Sequence, residues 1–439
     1  MVRHHFNIAL IFATAVVACA FVIGFNRAVD PYGSFTSSKN SHTITKAAVY
    51  RRVKLAKAYD IRRLHPEAIV LGSSRSHIGF RMTHPGWNVP RALRYNAAFD
   101  GATTEEMYRY LVHAEMVHPL RQVLLGLDTW HLNHAPSWTR PDFDPALLFD
   151  EQPLHNALVH AHDVALLLSA DTTRASISEI FNAEARQSWL SPDGQRRGNV
   201  FFRDVAPNFT RSPAAYFWNT DRQEIGYALD VEPAPKPRFP TSFPPENKHR
   251  LTSFDYIGAI VSFCRKHSID LRIVITPAHA HQLEIVADLR GWEALENGKR
   301  ELVMLLARDA ERNGAKAPFP LYDFSDYSAV TTEPVPPLAS RKEMQFYWDS
   351  SHFKEIVGDW VLDRVFGVRG SSASAPADFG HLLDQSSIEA DLSLIRQKQA
   401  AYRKQRANEV AAIAGLVRDV KASLKYPKKS TATYASYAR

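Results

Sequence analysis

The stretch WDSSH, residues 348–352, contains two residue types that can move a proton, and it precedes an apolar helical pattern. Asp349 and His352 lie three positions apart, so the carboxylate can reach the imidazole and orient it as a general base. Asp349 and Ser350 are also good N-cap residues, and a capped helix without any chemistry is the alternative interpretation. A catalytic base needs a nucleophile, which must come from elsewhere in the chain.

A candidate nucleophile follows the apolar run EAIVLG at residues 67–72. The run predicts a buried strand that ends in a glycine turn, and a serine just past such a turn can present its hydroxyl to a ligand. Ser74 is the preferred nucleophile and Ser73 the alternative. Small residues also end many strands without any function, so these two serines alone are a weak signal.

Short apolar runs alternate with helical patterns along much of the chain. This order predicts an α/β fold, a three-layer α/β/α sandwich with a mainly parallel, flavodoxin-like sheet of five strands. The strand candidates are residues 67–74, 92–98, 121–128, 271–277 and 320–325. Because ligands bind at the carboxyl ends of parallel strands, the polar residues there are expected to form the site. These residues are Ser73, Ser74, Asn96, Asp128, Thr276 and Asp323.

Four blocks of sequence occur in an order and spacing that resembles the SGNH (GDSL-like) hydrolase superfamily. The blocks are IVLGSSRS, NAAFDGATTEEM, LLGLDTWHLN and WDSSH. The second block keeps three residues of the family pattern Asn-x-Gly-x-x-Gly-x-Thr, which are Asn96, Gly101 and Thr103. The last block has the Asp-x-x-His of the family before a helix. The resemblance covers roughly residues 65–365.

The resemblance implies a serine O-acyl esterase or O-acetyltransferase that uses no metal or other cofactor. Ser74 would attack the acyl carbonyl, His352 would take and return the proton, and Asp349 would hold the imidazole. The backbone N–H groups of Ser74 and Gly101 would donate to the oxyanion, since a glycine turn allows so close an approach. The expected ligand is an acylated carbohydrate of the cell envelope or another small ester.

The third block departs from the family at one position. Family members have Asn there as an oxyanion donor, whereas this chain has Asp128. A carboxylate cannot donate, so Asp128 can join the oxyanion hole only if burial keeps it protonated. With this substitution the chain resembles the membrane-anchored SGNH-like proteins that take part in acetylation of bacterial cell-surface polysaccharides. It is equally expected of a site without activity, so the alternative function is a non-catalytic binding or scaffold protein of an envelope polysaccharide complex.

Residues 6–25 form an uncharged apolar run that is long enough to span a bilayer as a helix. A cleaved signal peptide would have a shorter apolar core before its cleavage site. Residues 1–30 are therefore interpreted as an uncleaved transmembrane signal anchor. Its five-residue N-terminal tail favours export of the rest of the chain. We expect a single-pass protein of the bacterial inner membrane with its globular domain in the periplasm.

Charge and composition favour an anionic neighbour and argue against nucleic acid and metal ions as ligands. The net charge of +7 and the pI near 9.2 indicate an anionic neighbour, such as a membrane surface or an acidic polymer. No basic block with interleaved aromatic residues occurs, so no binding of nucleic acid is predicted. Histidines cluster at residues 131–134 and 155–162, but no cysteine or carboxylate framework accompanies them, and no metal site is predicted.

The SGNH-like domain is assigned to residues 31–368, and two parts of the chain differ from its α/β pattern. Residues 131–250 show little periodicity and are interpreted as an irregular insertion. Residues 369–439 comprise a linker, two amphipathic helices and a disordered tail, and the helices either pack on the domain or bind an envelope protein or anionic polymer. The aromatic residues around the insertion could stack on sugars or form a small core. They are Trp130, Trp138, Trp189, Phe201, Phe202 and Trp218.

Overall fold

The structure is a computed structural model that describes residues 2–35, 47–181, 189–231, 251–314, 317–368 and 375–425. The described residues form one sheet of six strands, in the order β2-β1-β3-β4-β5-β6. The strands are β1 (Ala68–Leu71), β2 (Arg94–Asn96), β3 (Gln122–Leu127), β4 (Asp270–Ile275), β5 (Leu321–Asp323) and β6 (His381–Leu383). All neighbouring strands are parallel except β5 and β6. The predicted α/β class with a mostly parallel sheet is confirmed.

The sheet has one strand more than the sequence analysis predicted. β6 lies in the region that was expected to contain only a linker, helices and a tail, and its Leu383 pairs with Leu321 of β5. Three residues are too few to show a strand periodicity, and the open edge of β5 supplies the hydrogen bonds that make this segment a strand. The five-stranded, flavodoxin-like layout is therefore not confirmed.

Helices cover both faces of the sheet, and alternate strand residues enter two separate cores. The helices before the insertion are α1 (Val2–Val29), α2 (Ala47–Arg51), α3 (Val53–Leu64), α4 (Ser74–Gly79) and α5 (Thr104–Val117), with a 3-10 turn at Arg91–Leu93. Ile69 and Ile273 point into one core, and Val70 and Val274 into the other. β1 and β3 are buried at every position, which explains their continuous apolar sequences.

The insertion is largely helical in the part that the structure describes, which corrects the prediction of an irregular segment. Its elements are 3-10 turns at Thr129–His131 and Pro145–Leu147, α6 (Pro153–Leu168), α7 (Ala170–Phe181), α8 (Gly198–Val200), a π-helical turn at Phe201–Val205, α9 (Pro207–Arg211) and α10 (Pro213–Val231). Prolines at the start of α6, α9 and α10 are compatible with helices. In the first turn of a helix the backbone N–H groups make no hydrogen bond within the helix, so a residue without an N–H loses none there. Prolines also occur in loops, so the sequence pattern alone did not indicate these helices.

The C-terminal helices pack back on the domain. The helices after the insertion are α11 (Ser253–Lys266), α12 (Ala280–Asp288), α13 (Trp292–Arg312), α14 (Glu355–Phe366), α15 (Ile388–Gln405) and α16 (Ala407–Lys425). Leu392 and Ile395 of α15 enter the core on one face of the sheet. Ile413 and Val417 of α16 contact a cluster that includes Ile225 of α10. The apolar stripes of these helices are thus used within the chain.

The helix α1 is apolar and exposed. Within its segment Asn7–Val29, the most apolar stretch of 18 residues has a mean hydropathy of 2.7, and none of that stretch is buried in the protein. A helix of this length and composition is able to cross a membrane. The predicted span at residues 6–25 therefore coincides with a real helix, as expected of a signal anchor.

His281 connects three elements inside the domain. Its Nδ1 lies 2.7 Å from a carboxylate oxygen of Asp221 on α10, and its Nε2 lies 2.6 Å from Glu409 on α16. Burial alone would lower the pKa of His281, but the two carboxylates outweigh burial and raise the pKa to about 9. The imidazolium therefore stabilises the docking of α10 and α16 on α12.

We expect the free energy of unfolding to fall as the pH rises from about 6.5 to about 9, because the folded state binds this proton more tightly than the unfolded state. The loss should be on the order of 3 kcal/mol. Urea denaturation in detergent at several pH values measures it. Glu409→Gln should flatten the dependence, and Tyr402→Phe, which removes only a hydroxyl 2.9 Å from Glu409, should keep it. An unchanged dependence in Glu409→Gln would contradict the assignment.

Candidate active site

Ser74, His352 and Asp349 come together at the carboxyl edge of the sheet. Ser74 Oγ lies 2.8 Å from His352 Nε2, and His352 Nδ1 lies 2.9 and 3.0 Å from the two oxygens of Asp349. Asp349 also accepts hydrogen bonds from the backbone N–H groups of Ser351 and His352, each at 2.8 Å. These bonds hold the carboxylate in place, so the hydroxyl, imidazole and carboxylate form a row that can transfer a proton.

A glycine turn carries Ser74 from β1 to the site. Gly72 has φ +151°, and a Cβ atom there would overlap the side chain of Ser76 and crowd the carbonyl oxygen of Gly126. Ser73 follows as the N-cap of α4, since its hydroxyl accepts the N–H of Arg75 at 3.3 Å. Ser74 is then the first helical residue, and it is partly exposed.

Close packing of α14 on α4 brings His352 to Ser74. A Cβ atom on Gly358 of α14 would overlap the carbonyl oxygen of Gly79, and a Cβ atom on Gly79 would overlap the ring of Phe353. The helix α14 begins at Glu355, with Lys354 as its N-cap and no side-chain cap. Asp349 and Ser350 therefore do not cap this helix, so the helix-capping interpretation of the motif is wrong.

The electrostatic surroundings of His352 favour its protonated form. The side chain is 19% exposed. Burial acts to lower the pKa of His352, but the Asp349 carboxylate outweighs burial and raises the pKa above the ordinary value of 6.5. A raised pKa makes the imidazole a stronger base toward a serine hydroxyl, provided that it is neutral at the working pH.

Asp128, at the end of β3, is 1% exposed and surrounded by donors. Its carboxylate accepts hydrogen bonds from the hydroxyl of Ser73, from Thr276 Oγ1 at 2.6 Å and from Trp130 Nε1 at 3.1 Å. Burial acts to raise the pKa of Asp128, but the Arg75 guanidinium 3.8 Å away and the hydroxyl donors lower it below the ordinary value. The three donors make Asp128 a hydrogen-bond acceptor, and the lowered pKa favours its ionised form, which argues against the predicted donor role in the oxyanion hole.

Gly101 and Asn96, from the second sequence block, have different surroundings. Gly101 has φ +58°, a Cβ atom there would overlap the Arg140 guanidinium, and Arg140 Nε donates to the Gly101 carbonyl at 3.1 Å. The turn is held rigidly, and the N–H of Gly101 remains a predicted oxyanion donor. Asn96 Nδ2 donates to the carbonyls of Ser76 and Phe80, both at 3.1 Å, and so fixes the position of α4.

Glu224, on α10 of the insertion, is a site residue that the sequence analysis missed. Its carboxylate accepts the Ser351 hydroxyl at 2.8 Å, and Arg75 Nη2 donates to the same Ser351 oxygen at 3.1 Å. Burial raises the pKa of Glu224, and Arg75 offsets this only partly. A glutamate on the polar side of a helix gives no local signal, because its proximity to the site depends on how α10 packs.

The aromatic residues of the insertion divide into two groups. Trp189, Phe202 and their partly buried neighbour Phe201 belong to small cores, and Phe202 stacks on Trp348 with ring centroids 5.2 Å apart. Trp130 and Trp138 are 41% and 38% exposed. Trp218 is partly buried beside α16. Of the six aromatic residues named in the sequence analysis, Trp130 and Trp138 are therefore the two most able to offer a ring face to a sugar.

The buried His131 and the partly buried His155 of the insertion are hydrogen-bonded within the protein. His131 Nδ1 accepts the N–H of Asp128 at 2.8 Å, and its Nε2 lies 2.9 Å from the carbonyl of Ala102. His155 Nε2 lies 2.9 Å from the carbonyl of Leu148. Throughout the described ranges, no group of three or more His, Cys, Asp or Glu residues is arranged to hold a metal ion.

The raised pKa of His352 predicts how the pH would affect turnover by a catalytic Ser74–His352–Asp349 row. Since only neutral His352 accepts the Ser74 proton, kcat/KM for p-nitrophenyl acetate should rise with pH, with a midpoint above 6.5. Asp349→Asn removes the carboxylate that raises the pKa, so the midpoint should move to lower pH and the plateau should fall by about 10,000-fold. A pH–rate profile of both proteins measures this. An unchanged midpoint in Asp349→Asn would contradict the assignment.

Asp128→Asn should destabilise the protein by about 3 kcal/mol, because it leaves the buried Arg75 charge without its nearest carboxylate. Thr276→Val, which removes a single donor to Asp128, should cost only about 1 kcal/mol. Chemical denaturation of both variants gives these values. Ester turnover should fall in Asp128→Asn, because Ser73 then loses its charged partner next to Ser74. Increased turnover would instead mean that an amide at this position donates to the oxyanion.

Comparison with known proteins assigns neither a family nor a function to the chain. No protein-family model matches the chain, and no curated protein or solved structure is significantly similar to it. The resemblance to SGNH hydrolases therefore depends on the four sequence blocks alone. The Ser74–His352–Asp349 row and its surroundings are the physical basis for assigning a function to this protein.

Proposed function

We propose that the protein is a serine O-acyl esterase or O-acetyltransferase that acts on a carbohydrate of the cell envelope. The observation that carries the proposal is the 2.8 Å contact between Ser74 Oγ and His352 Nε2, with Asp349 on the opposite nitrogen of the ring. Residues separated by 278 positions make this contact. Such a row is what nucleophilic catalysis by serine requires.

The proposed reaction has two steps. In the first, Ser74 Oγ attacks the acyl carbonyl while His352 Nε2 takes the hydroxyl proton. The tetrahedral intermediate then breaks its bond to the alcohol oxygen, and His352 returns the proton to that leaving group. In the second step, water or an acceptor hydroxyl attacks the acyl–Ser74 ester, with His352 again taking and returning the proton. The backbone N–H groups of Ser74 and Gly101 are the proposed oxyanion donors.

Three features support a carbohydrate substrate and an envelope location. The exposed rings of Trp130 and Trp138 lie in a segment that contacts Asp128 and Gly101, and amphipathic rings suit stacking on sugars. Glu224 and Ser351 place hydrogen-bonding groups beside the row. The apolar helix α1 supports a single-pass anchor, and we propose that the domain lies in the periplasm.

One observation favours the alternative function, a non-catalytic scaffold protein of an envelope polysaccharide complex. An ionised Asp128 stands where the SGNH pattern has a donor, so the oxyanion would have one donor fewer. Loss of one such donor costs roughly 100- to 1,000-fold in turnover. Residual catalysis by the remaining donors distinguishes a slow enzyme from a scaffold.

The test compares the two neighbouring serines. Ser74→Ala should lower turnover of p-nitrophenyl acetate by at least about 1,000-fold, because it removes the nucleophile. Ser73→Ala should lower turnover much less, because it removes a hydrogen bond to Asp128 and the N-cap of α4 but leaves the nucleophile in place. A fluorophosphonate probe should label Ser74 in the natural protein and in Ser73→Ala, as seen by mass spectrometry. If neither turnover nor labelling depends on Ser74, the scaffold function replaces the enzyme.

A further inference from the structure

The helices α6 and α7 carry an apolar surface on the side that faces away from the domain. On α6 the exposed apolar residues recur every three or four positions, which places them along one face. They are Leu154, Ala157, Leu158, Ala161, Val164, Ala165 and Leu168. Ile177, Ile180 and Phe181 continue the surface on α7. Leu154 and Phe181 are 77% and 80% exposed, and the large apolar side chains between them are 39% to 53% exposed, so the described part of the chain leaves much of this surface uncovered. We call it the outer face of α6–α7.

The opposite side of the same two helices packs on the protein. Val159 and Leu167 of α6 are buried, as are Thr172 and Ser176 of α7. A helix on the surface of a globular domain ordinarily presents polar residues to water on its outer side. Here the outer side is as apolar as the inner side. A contiguous exposed apolar surface of this kind marks a contact with another molecule or with a membrane.

The anchor helix identifies what covers the outer face. Asn26, near the end of α1, is fully buried, and its Nδ2 donates to the carbonyl of Leu167 at 2.7 Å and to Thr173 Oγ1 at 2.9 Å. The junction between α6 and α7 is thus fastened to the last turns of α1. Five residues earlier, Phe21 is 75% exposed, as a lipid-facing residue would be. The Leu167 carbonyl at the end of α6 therefore lies beside the end of α1 at which the helix would leave a bilayer.

Cationic side chains surround this junction. Arg27 of α1 is exposed, and Arg174 of α7 has 81% of its side chain exposed. Arg52 and Arg174 each lie 3.6 Å from a carboxylate oxygen of Asp171, which leaves a net positive charge in this group. Arginine beside apolar residues is typical of helices that lie in the interface of an anionic membrane.

We propose that the outer face of α6–α7 lies in the bilayer interface beside α1, with its apolar side chains at the boundary between headgroups and acyl chains. The occupant is a phospholipid bilayer that contains anionic lipid. The domain then has two attachments to the membrane, one spanning and one interfacial. Two attachments remove its freedom to rotate or tilt about α1 and hold the Ser74 edge at a constant height above the lipid. The inference requires that α1 spans the bilayer and does not depend on the proposed catalysis.

The experiment uses the full chain in vesicles of phosphatidylcholine and phosphatidylglycerol, in a Cys19→Ser background. Cys264 is buried, so a cysteine introduced at the surface is the one that reacts. Leu158→Cys on α6 is labelled with an environment-sensitive fluorophore. Leu382→Cys on β6 is the matched control, because Leu158 and Leu382 are apolar residues that are 51% and 53% exposed. Retention on the vesicles after an alkaline wash tests the span of α1 separately.

The label at Leu158 should emit at shorter wavelength, be quenched by nitroxide-bearing lipid and be protected from aqueous iodide. The label at Leu382 should show the opposite pattern. In phosphatidylcholine alone, quenching of the Leu158 label by nitroxide lipid should weaken, because the arginines lose their anionic partners. Equal quenching of both labels by iodide would overturn the proposal. Protection from both iodide and nitroxide lipid would overturn it too, since a second copy of the chain would then cover this face.

Discussion

The geometry of the candidate site depends on the buried carboxylate of Asp128. It accepts hydrogen bonds from Ser73 beyond β1 and from Thr276 beyond β4, and it follows β3 itself, so it ties together the carboxyl ends of three neighbouring strands. Arg75 supplies the positive charge that keeps the carboxyl group ionised in a buried position. Because Ser73 is the N-cap of α4, the same bond that satisfies Asp128 sets the direction in which Ser74 leaves the sheet.

Packing around α4 then brings the base to the nucleophile. The contact of Gly358 with Gly79 leaves no room for a side chain between α14 and α4, and the loop before α14 is held against α4 with His352 at its end. The insertion seals the other side of α4, since the backbone N–H of Arg196 donates to the carbonyl of His77 at 2.9 Å. Lys57 joins this segment to β2 through the carbonyls of Asn96 and Gly194, and burial lowers the pKa of Lys57 to about 7.

The insertion has two parts with different positions in the molecule. Its first part, α6 and α7, packs against the end of α1 and carries the exposed apolar face. Its second part, from α8 to α10, covers the site and brings Glu224 to Ser351. One continuous segment therefore contacts both the anchor and the candidate catalytic row.

The sequence by itself determined the features that depend on local pattern. Apolar runs long enough to require burial indicated the parallel strands, an uncharged run indicated α1, and Asp349 and His352 are close in space because they are close in the chain. Features that depend on contacts between distant elements came only from the tertiary structure. The ionised state of Asp128 depends on Arg75 and Thr276, β6 is a strand because β5 has an open edge, and Glu224 belongs to the site because α10 folds over it. In each case the deciding energy is an interaction with residues far away in sequence, which no local pattern contains.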